Sequence, residues 1–337
     1  MKILLVGAGQ IGSRHLQGMA MLNQIAKTAA EIFVLDPSTS SLKVAEERFQ
    51  AMKSGQELPP VHFESDIAKL KNVGPFDVAI VATDARIRRS ATENIFAHLQ
   101  IKNLILEKIL FQKKSDYAEI QKLLTSKQVR TWVNCPMRIW PGYKTLKDHM
   151  AKDRATKTPI KMTLTGGCWG LACNSIHYMD LFCFLSDSTV KTVSTQNLDP
   201  EVIPSKRAGF YELTGELNVD FSDGSQFSIV CEKNSTKPIQ MTIEMDTQRH
   251  VIREDLKACW SSFANQHWQI EKWDLQMPYQ SQVTGLVVVD ILEKKQTLLP
   301  TYEESMKTHL IMLDSFLTFF DARMKTVDNG ESVCPIT

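Results

Sequence analysis

The stretch "LLVGAGQIGSRHL" at residues 4–16 decides the fold of the first part of this chain. An apolar run at residues 2–6 meets three glycines spaced G-x-G-x-x-G, and a helical pattern follows. In such a turn Gly7 permits the tight bend, Gly9 lets the backbone approach a pyrophosphate, and Gly12 lets helix and strand pack closely. The N–H groups at the start of the helix then point at the phosphates. The spacing therefore predicts a dinucleotide-binding turn; the alternative is a purely structural strand–helix turn.

An acidic residue at the end of the second apolar run supports this prediction. Asp36 directly follows the run at residues 31–35, at the distance from the glycines where a carboxylate binds the adenosine ribose diol. Its negative charge would repel a 2′-phosphate, so the sequence favours NAD over NADP. The residues Ser38, Ser40 and Lys43 follow closely and weaken that preference. We expect NAD as the cofactor, with NADP as the less favoured alternative.

The first 134 residues alternate short apolar runs with amphipathic stretches. The apolar runs lie at 2–6, 31–35, 61–63, 77–82, 102–106 and 129–133. The amphipathic stretches lie at 14–29, 41–52, 87–99 and 115–126. Uninterrupted apolar strands with helices between them are typical of a parallel sheet covered on both faces. The pattern predicts the α/β fold class, with a doubly wound Rossmann domain over residues 1–134.

The pattern changes over residues 135–337, where longer alternating strands appear. We predict strands at 158–166, 189–195, 211–221, 225–233, 238–246 and 266–274. Asp223-Gly224 indicates a tight hairpin turn between two of them, and helices are predicted at 173–185 and 303–323. These residues are expected to form an α+β domain with a large, open, mostly antiparallel sheet.

Composition and charge argue against several classes of partner. The 337 residues are 43% hydrophobic and 23% charged, and the formal net charge of +1 gives no reason to expect nucleic acid. The basic run Arg86-Ile-Arg-Arg89 is isolated, and we expect a solvated helix start there. No apolar stretch approaches the ~20 residues of a membrane span, so no membrane partner is expected. Seven cysteines without a framework spacing fit reduced thiols in the cytoplasm.

Four features, in order along nearly the whole chain, resemble the Gfo/Idh/MocA family, named for glucose–fructose oxidoreductase, inositol dehydrogenase and the MocA rhizopine protein. They are G-x-G-x-x-G-x-x-H at 7–15, Val81-Ala82-Thr83, Glu107-Lys108, and His177-x-x-Asp180 at the head of a helix. The ending "LPTYEESMKTHLIMLDSFL" at 299–317 is similar to the family's closing helix.

The resemblance implies a Rossmann domain followed by a substrate-binding domain whose open sheet often forms the oligomer interface. It also implies hydride transfer between a nicotinamide and a carbinol or carbonyl carbon of a sugar, amino sugar or nucleotide-linked sugar. Two other functions stay open: an imine or other carbonyl reductase, and a catalytically silent nucleotide-binding regulator. The residues expected to contact the cofactor are Gly7, Gly9, Gln10, Ile11, Gly12, Asp36, Ala82, Thr83 and Glu107.

The resemblance places the catalytic residues at Lys108, His177 and Asp180. Lys108 follows a parallel strand at the edge where such sheets bind ligands, and it either transfers a proton or polarises a carbonyl. His177 and Asp180 are three residues apart and share a helix face. Asp180 or Asn174 is expected to orient the imidazole.

Two positions depart from the family's pattern. Ile109 replaces the proline of the usual Glu-Lys-Pro, and Cys173 replaces the usual acid four residues before the histidine. The neighbouring Asn174 can hold a hydroxyl group but cannot act as a base. Lys108 and His177 are therefore expected to carry the proton transfer.

The segment 134–143, at the predicted domain boundary, is a candidate for substrate binding. Arg138 can clamp a carboxylate or phosphate in bidentate fashion, and Trp140 or Tyr143 can pack against a sugar ring. Trp169 is a candidate wall of the same pocket. The alternative is a structural linker in which Arg138 pairs with a nearby acid.

The cysteines near His177 allow two interpretations, a metal site or buried thiols. Cys168, Cys173 and His177 offer sulfur and nitrogen ligands, and the last two are one helical turn apart. A fourth ligand of matching spacing is lacking in the sequence, and hydride transfer to a nicotinamide needs no metal. We expect buried free cysteines and no metal.

The second predicted sheet indicates an oligomer. The stretches 225–233 and 238–246 keep apolar residues on one parity and mix Ser, Cys, Thr, Gln and Met on the other. Such a half-polar face is more like an interface than a wetted surface, and a two-fold axis would lay it on its own copy. We expect a homodimer or homotetramer through this sheet. The alternative is a monomer whose second face is covered by residues 278–300 and the final helix.

Overall fold

The computed structural model describes residues 1–53, 57–152, 158–324 and 326–337. The chain folds into two compact units. The first unit comprises residues 1–111, 115–134 and 278–303, and the second unit comprises 112–114, 135–277 and 304–337. One change of unit falls between residues 134 and 135, and the segments 112–114 and 278–303 are assigned to the second and the first unit, respectively.

The first unit is built on a six-stranded parallel sheet. Its strands are β1 (Lys2–Val6), β2 (Glu31–Leu35), β3 (Val61–Glu64), β4 (Val78–Val81), β5 (Asn103–Leu106) and β6 (Arg130–Val133). Their order is β3-β2-β1-β4-β5-β6, and every neighbouring pair is parallel. This is the doubly wound Rossmann order, and it confirms the predicted fold of this part. The strand order reverses beside β1, so the carboxyl ends of β1 and β4 mark the edge where such sheets bind ligands.

The helices of this unit follow the predicted pattern with one correction. They are α1 (Gln10–Gly18), α2 (Leu22–Ile25), α3 (Thr39–Gln50), α4 (Arg88–His98) and α5 (Lys114–Lys127). The single helix predicted at 14–29 is wrong, because the first helix starts earlier, at Gln10, and ends at Gly18. The chain then tightens into a turn, in which the Met19 N–H donates to Leu16 O at 3.1 Å. Such bonds commonly close the last turn of a helix.

The second unit contains an eight-stranded sheet. Its strands and those of two short ribbons, in chain order, are β7 (Lys161–Gly167), β8 (Val190–Leu198), β9 (Ile203–Pro204), β10 (Tyr211–Glu212), β11 (Gly215–Phe221), β12 (Gln226–Glu232), β13 (Gln240–Glu244), β14 (Gln248–Arg253), β15 (Ala258–Phe263), β16 (Ile270–Asp274), β17 (Val327–Asp328) and β18 (Glu331–Ser332). The large sheet runs β16-β15-β14-β13-β7-β12-β11-β8. Only the β7–β12 pair is parallel. The predicted large, mostly antiparallel sheet is confirmed.

The sequence did not predict β14 or β15, because buried polar residues hide their alternation. Gln248 and His250 of β14 are fully buried where an apolar residue is usual. The His250 imidazole is within 2.8 Å of both Ser261 Oγ and Gln248 Oε1. Burial lowers the pKa of His250 to about 4, so this network holds a neutral imidazole at neutral pH.

The faces of this sheet differ in one respect from the predicted parity. Cys231 and Met241, expected on the mixed face, lie fully buried in the core with Phe227 and Ile229. The opposite parity of β12 and β13 carries half-buried residues such as Ser228, Val230 and Thr242. The same face also carries the polar residues Gln226, Glu232, Gln240 and Glu244, so it is more polar than the mixture that the sequence predicted.

Four helices complete the chain. They are α6 (Pro141–Lys152), α7 (Leu171–Ser186), α8 (Gln280–Val289) and α9 (Tyr302–Asp321). Helix α8 packs in the first unit against α1, so closely that a Cβ on Gly285 would lie 2.7 Å from Gly18 O. This contact is the reason that 278–303 belongs to the first unit. Among the helices that the structure describes, none is both long enough and apolar enough to cross a bilayer.

Candidate functional site

The glycine turn between β1 and α1 has the backbone geometry that a dinucleotide cradle requires. Gly7 has a φ of +97°, which side-chain-bearing residues rarely adopt. A Cβ on Gly12 would lie 1.9 Å from Gly7 O, so only glycine lets the helix approach the strand here. Above Gly9, no described atom other than those of Gly9 and its chain neighbours lies within 4 Å of the place that a Cβ would take. Helix α1 begins at Gln10, and no described side chain caps its N-terminus.

Asp36 lies at the end of β2 and is attached to this turn. Its Oδ2 accepts a hydrogen bond from the Ala8 N–H at 2.7 Å, and its Oδ1 accepts one from the Ser38 N–H at 2.8 Å. The side chain stays half-buried. Because a carboxylate has about four acceptor positions, these two bonds leave capacity for a ribose diol. Asp36 therefore both fixes the turn and presents a negative charge beside it.

The turn after β4 lies against the glycine turn. A Cβ on Gly7 would be 3.1 Å from Ala82 O, which places Ala82 and Thr83 at the same edge of the sheet. The Thr83 hydroxyl oxygen is buried and has no hydrogen-bond partner among the described residues. Near the start of α1, the Gln10 amide oxygen accepts a hydrogen bond from Arg48 Nη1 at 2.7 Å. Ile11 is half-buried on the same first turn.

Glu107, which the sequence analysis placed in the cofactor site, faces the interior of the first unit. It is only 4% exposed, and its Oε1 is 2.8 Å from His15 Nε2. The same oxygen accepts a hydrogen bond from Asn134 Nδ2. The other imidazole nitrogen of His15 is 3.0 Å from Thr284 Oγ1 on α8. Glu107 thus joins α1, α8 and the end of β6, because a buried carboxylate must be hydrogen-bonded on several sides.

The electrostatics of this cluster favour an ionised carboxylate. Burial alone opposes ionisation of Glu107, but the hydrogen bond and charge of His15, with Arg88 and Asn134, outweigh it and lower the pKa of Glu107 to about 2. The unfolded chain therefore takes up a proton at Glu107 at a higher pH than the folded chain does. The stabilisation from this group is fully present above the ordinary carboxyl pKa and is lost as pH falls towards 2.

This predicts that Glu107→Gln destabilises the protein less at low pH than at neutral pH. The difference in unfolding free energy between wild type and variant should shrink by about 2 kcal/mol between pH 7 and pH 3, given 1.36 kcal/mol per pKa unit. Urea unfolding at both pH values measures it, with the exposed Glu46→Gln as the matched control. A difference that does not change with pH would show that Glu107 is not ionised in this cluster.

Lys108 lies between anchored neighbours just beyond the carboxyl end of β5. Its N–H donates to Glu107 Oε2 at 3.2 Å, and its side chain is half-buried. The next residues, Ile109 and Leu110, are completely buried. The peptide bond between Lys108 and Ile109 is cis. Lys108 is therefore the accessible residue of a turn that is otherwise held in the core of the first unit.

In the second unit, Arg138 and Asp180 pair with each other. The Arg138 Nε donates to Asp180 Oδ2 at 2.8 Å, and Nη2 donates to Oδ1 at 2.7 Å. The structure therefore places Arg138 on an internal acid, the alternative to a clamp on substrate. Burial raises the pKa of Asp180 to about 6, although the Arg138 charge favours the carboxylate. Both oxygens of Asp180 accept hydrogen bonds from Arg138. The sequence analysis had instead expected Asp180 or Asn174 to orient the His177 imidazole.

The structure also shows where Tyr143 and Trp140 lie, the two aromatic residues predicted to pack against a sugar. Tyr143 is fully buried, and its hydroxyl donates to Glu254 Oε1 at 2.6 Å. Tyr178 donates to the other oxygen of Glu254 at 3.3 Å. Tyr143 is thus a core residue and not a platform for a sugar ring. Trp140 stacks on it, with ring centroids 5.8 Å apart, and keeps part of its surface exposed.

The start of α7 gathers three of the predicted site residues, together with Cys173. The Trp169 indole N–H donates to Val230 O at 3.0 Å, and Asn174 Nδ2 donates to Trp169 O at 2.9 Å. Cys173 lies 3.7 Å from Gly170 O through its Sγ. His177 is half-buried one turn further along the helix. The Asn174 amide is thus bonded to the backbone of its own helix start.

No group of three or more His, Cys, Asp or Glu side chains that could hold a metal ion occurs in the described ranges. Cys168 is exposed and Cys173 is half-buried, so the expectation of buried thiols is wrong for Cys168. The two thiols and His177 therefore do not form a metal cluster.

Comparison with known proteins bears on the first unit most directly. Residues 1–135 match the family model described as an oxidoreductase family with an NAD-binding Rossmann fold. This part of the chain belongs to the Gfo/Idh/MocA oxidoreductase family. The match confirms the resemblance that the glycine motif, Val81-Ala82-Thr83 and Glu107-Lys108 indicated. No curated protein sequence matches the chain.

Solved structures share the fold of this chain over almost its whole length. An oxidoreductase from Agrobacterium radiobacter, solved with NAD⁺, L-tartaric acid and magnesium, is 15% identical with a TM-score of 0.71, over 96% of this chain and 97% of that chain. A levoglucosan dehydrogenase solved with NADH and levoglucosan is 13% identical with a TM-score of 0.71, over 95% and 98%. A UDP-N-acetylglucosamine 3-dehydrogenase from Acidithiobacillus ferrooxidans is 10% identical with a TM-score of 0.67, over 94% and 96%. At these identities the likeness concerns the fold, and function depends on the site.

Some residues around the Gfo/Idh/MocA motifs were not found by sequence reasoning. Arg88, expected in a solvated helix start, is 1% exposed. Asn134 and Thr284 complete the Glu107 and His15 cluster from distant parts of the chain. Only His15 carried a signal, as the last residue of the extended glycine motif. The others have ordinary polar neighbours in sequence, so no local pattern marks them.

Proposed function

We propose that the protein is an NAD-dependent oxidoreductase acting on a carbinol or carbonyl carbon of a sugar, amino sugar or nucleotide-linked sugar. The observation that carries this proposal is the glycine turn, with its open space above Gly9 and the Asp36 carboxylate beside it. The oxidoreductase family of residues 1–135 and the sugar substrates named for the levoglucosan and UDP-N-acetylglucosamine dehydrogenases support it. The described cysteines are all free thiols. Free thiols are typical of cytoplasmic proteins, and we propose that location for this protein.

The residues at the carboxyl edge of the first sheet fit a dinucleotide. The first-turn N–H groups of α1 would bind the phosphates, and Asp36 would bind the adenosine ribose. The buried Thr83 hydroxyl, which lacks a partner among the described residues, would gain one from the cofactor. When bound, the nicotinamide supplies hydride acceptance or donation.

The chain's own residues would manage the proton. In alcohol oxidation Lys108 accepts the proton of the substrate hydroxyl, and in carbonyl reduction it returns that proton to the oxygen. His177 is the second candidate for this exchange, since Cys173 and Asn174 replace the usual acid upstream of it. Asp180 would act only through Arg138, whose guanidinium it binds.

A panel of sugars, sugar acids and nucleotide sugars tests the proposal. Each compound is incubated with NAD⁺ or NADP⁺, and each corresponding ketone with the reduced cofactor, while absorbance at the nicotinamide band is followed. Turnover with at least one compound supports the proposal. Tight NADH binding without turnover on any compound would instead indicate a silent nucleotide-binding regulator.

Cofactor choice gives a prediction with two parts. Asp36→Ala should narrow the preference for NADH over NADPH, because it removes the charge that repels a 2′-phosphate. It should also weaken the binding of both cofactors, because the Ala8 N–H loses its acceptor. Fluorescence titration of both reduced cofactors measures the two effects, with Asp223→Ala, an exposed aspartate of the second unit, as a comparison. Tighter NADPH than NADH binding in wild type would contradict the assignment.

We also propose that the molecule is a homodimer or homotetramer through the large sheet of the second unit. The half-buried face with Ser228, Val230 and Thr242 is the surface that a two-fold axis would pair with its copy. Light scattering at micromolar concentration should give at least twice the 38.2 kDa chain mass. A particle of the single-chain mass that does not grow on concentration would contradict this arrangement.

A further inference from the structure

Arg88 is the bulkiest of the fully buried side chains in the described part of the chain. It occupies the first residue of α4 and is 1% exposed. Burying a guanidinium costs a large free energy unless its donors are hydrogen-bonded. A residue kept at such cost in the core of the first unit needs a structural or functional reason.

The guanidinium binds the backbone of two turns at the carboxyl edge of the parallel sheet. Nη2 donates to Thr83 O in the turn after β4. Nη1 donates to Ile109 O and, at 3.0 Å, to Leu110 O in the turn after β5. The planar fork of arginine allows one side chain to bind several carbonyls at once, which a lysine ammonium cannot do in the same geometry.

With these contacts, the residues on both sides of Lys108 are held in place. On its N-terminal side, Glu107 is held by His15 and Asn134. On its C-terminal side, Ile109 is completely buried and its carbonyl is held by Arg88. The charge of Arg88 also lowers the pKa of Glu107, so the two anchors favour each other electrostatically.

Arg88 also bears on the departure from Glu-Lys-Pro at position 109. A proline would restrict φ covalently, whereas Ile109 has no such restraint. The Ile109 N–H donates no hydrogen bond within the described residues, so a proline here would remove none. External hydrogen bonds to the two carbonyls after Lys108 can supply the restraint that the ring would otherwise provide.

We propose that Arg88 is a positioning residue, which fixes the turn that carries Lys108 in place of a proline restraint. The consequence for catalysis rests on the proposed function; the fixation of the turn does not. Misplacement of a reacting group by about 1 Å can cost a rate factor of about 10². Loss of Arg88 should therefore act on turnover more than on cofactor binding.

The test uses Arg88→Met, which keeps the length and loses the donors, and Ile109→Pro in the same chain. Arg88→Met should lower kcat by about 10²-fold while the Kd for NADH changes by less than about threefold, the pattern of a lost transition-state interaction. Hydrogen–deuterium exchange of amides 107–111 should accelerate. Adding Ile109→Pro should recover at least about tenfold in kcat and slow the exchange again, because the ring restores the backbone restraint.

If the methionine variant does not fold, Arg88→Lys replaces it, with the same rescue by Ile109→Pro. The control is Arg86→Met, at an exposed position two residues before Arg88. Exchange at 107–111 that stays at the wild-type rate, or a defect in exchange that Ile109→Pro leaves unchanged, would overturn the proposal. If the exchange rates change as expected but the protein turns over no substrate, Arg88 remains the anchor of the turn. The proposed function is then rejected.

Discussion

Lys108→Met should lower turnover by ~10²-fold or more, the usual scale for losing a proton-transfer group. The affinity for NADH should change little, because the side chain acts on the substrate oxygen and the fixed backbone of the turn remains. Glu107, Ile109 and their partners keep that backbone in place without the ammonium group. Steady-state kinetics on the substrate found by the panel, together with NADH titration, measures both quantities.

The matched control is Lys102→Met. Lys102 lies just before β5, at the end of that strand opposite Lys108, and its ammonium forms an ion pair with Asp77 while the side chain is 58% exposed. Exposed pairs of this kind contribute little, so turnover should stay within about twofold. Near wild-type turnover in the Lys108 variant would make that lysine structural, and His177 would become the first candidate for proton transfer.

Arg138→Met should destabilise the second unit by about 3–5 kcal/mol at neutral pH, the cost of leaving one partner of a buried ion pair alone. Asp180 is 4% exposed, and both of its oxygens accept hydrogen bonds from Arg138. Without the guanidinium the carboxylate must stay charged in the core or take up a proton. The loss should therefore be smaller at pH 5 than at pH 8, because protonation relieves the buried charge. Urea unfolding at both pH values measures it.

Two further variants separate pairing from substrate binding. Arg138→Met combined with Asp180→Leu should recover most of the stability, since an apolar pair leaves no buried charge. The exposed Arg130→Met should change stability by no more than about 0.5 kcal/mol. If Arg138→Met leaves stability unchanged and raises KM, the arginine binds substrate, which is the other of the two alternatives that the sequence left open.

Much of the first unit could be predicted because its signals are local. Apart from β3, which has no buried residue, the strands from β1 to β6 are short and largely buried runs, and each strand end is followed by a helix or turn pattern. The glycines act within one turn: Gly7 needs its φ of +97° and Gly12 needs close approach to Gly7 O. Such requirements act over a few residues, so they appear in sequence as fixed spacings.

The second unit was less predictable because its decisive contacts cross the chain. Helix α7 was found from its apolar residues, but β14 was missed because Gln248 and His250 occupy buried positions with Ser261 as a partner from another strand. A buried polar residue looks exposed in a hydrophobic pattern until its partner is known. The same reason explains why Arg138, placed in the sequence as a candidate clamp, pairs with Asp180.

The sequence by itself determined the parallel sheet and the glycine turn, with Asp36 at the end of the next strand. Only the tertiary structure decided which of the polar residues face inward: Glu107 towards His15, Arg88 towards the turn after Lys108, and Asp180 towards Arg138. The physical reason is that backbone turns and apolar periodicity depend on neighbours in sequence. A buried charge instead depends on the partner that compensates it, and folding brings that partner from elsewhere in the chain.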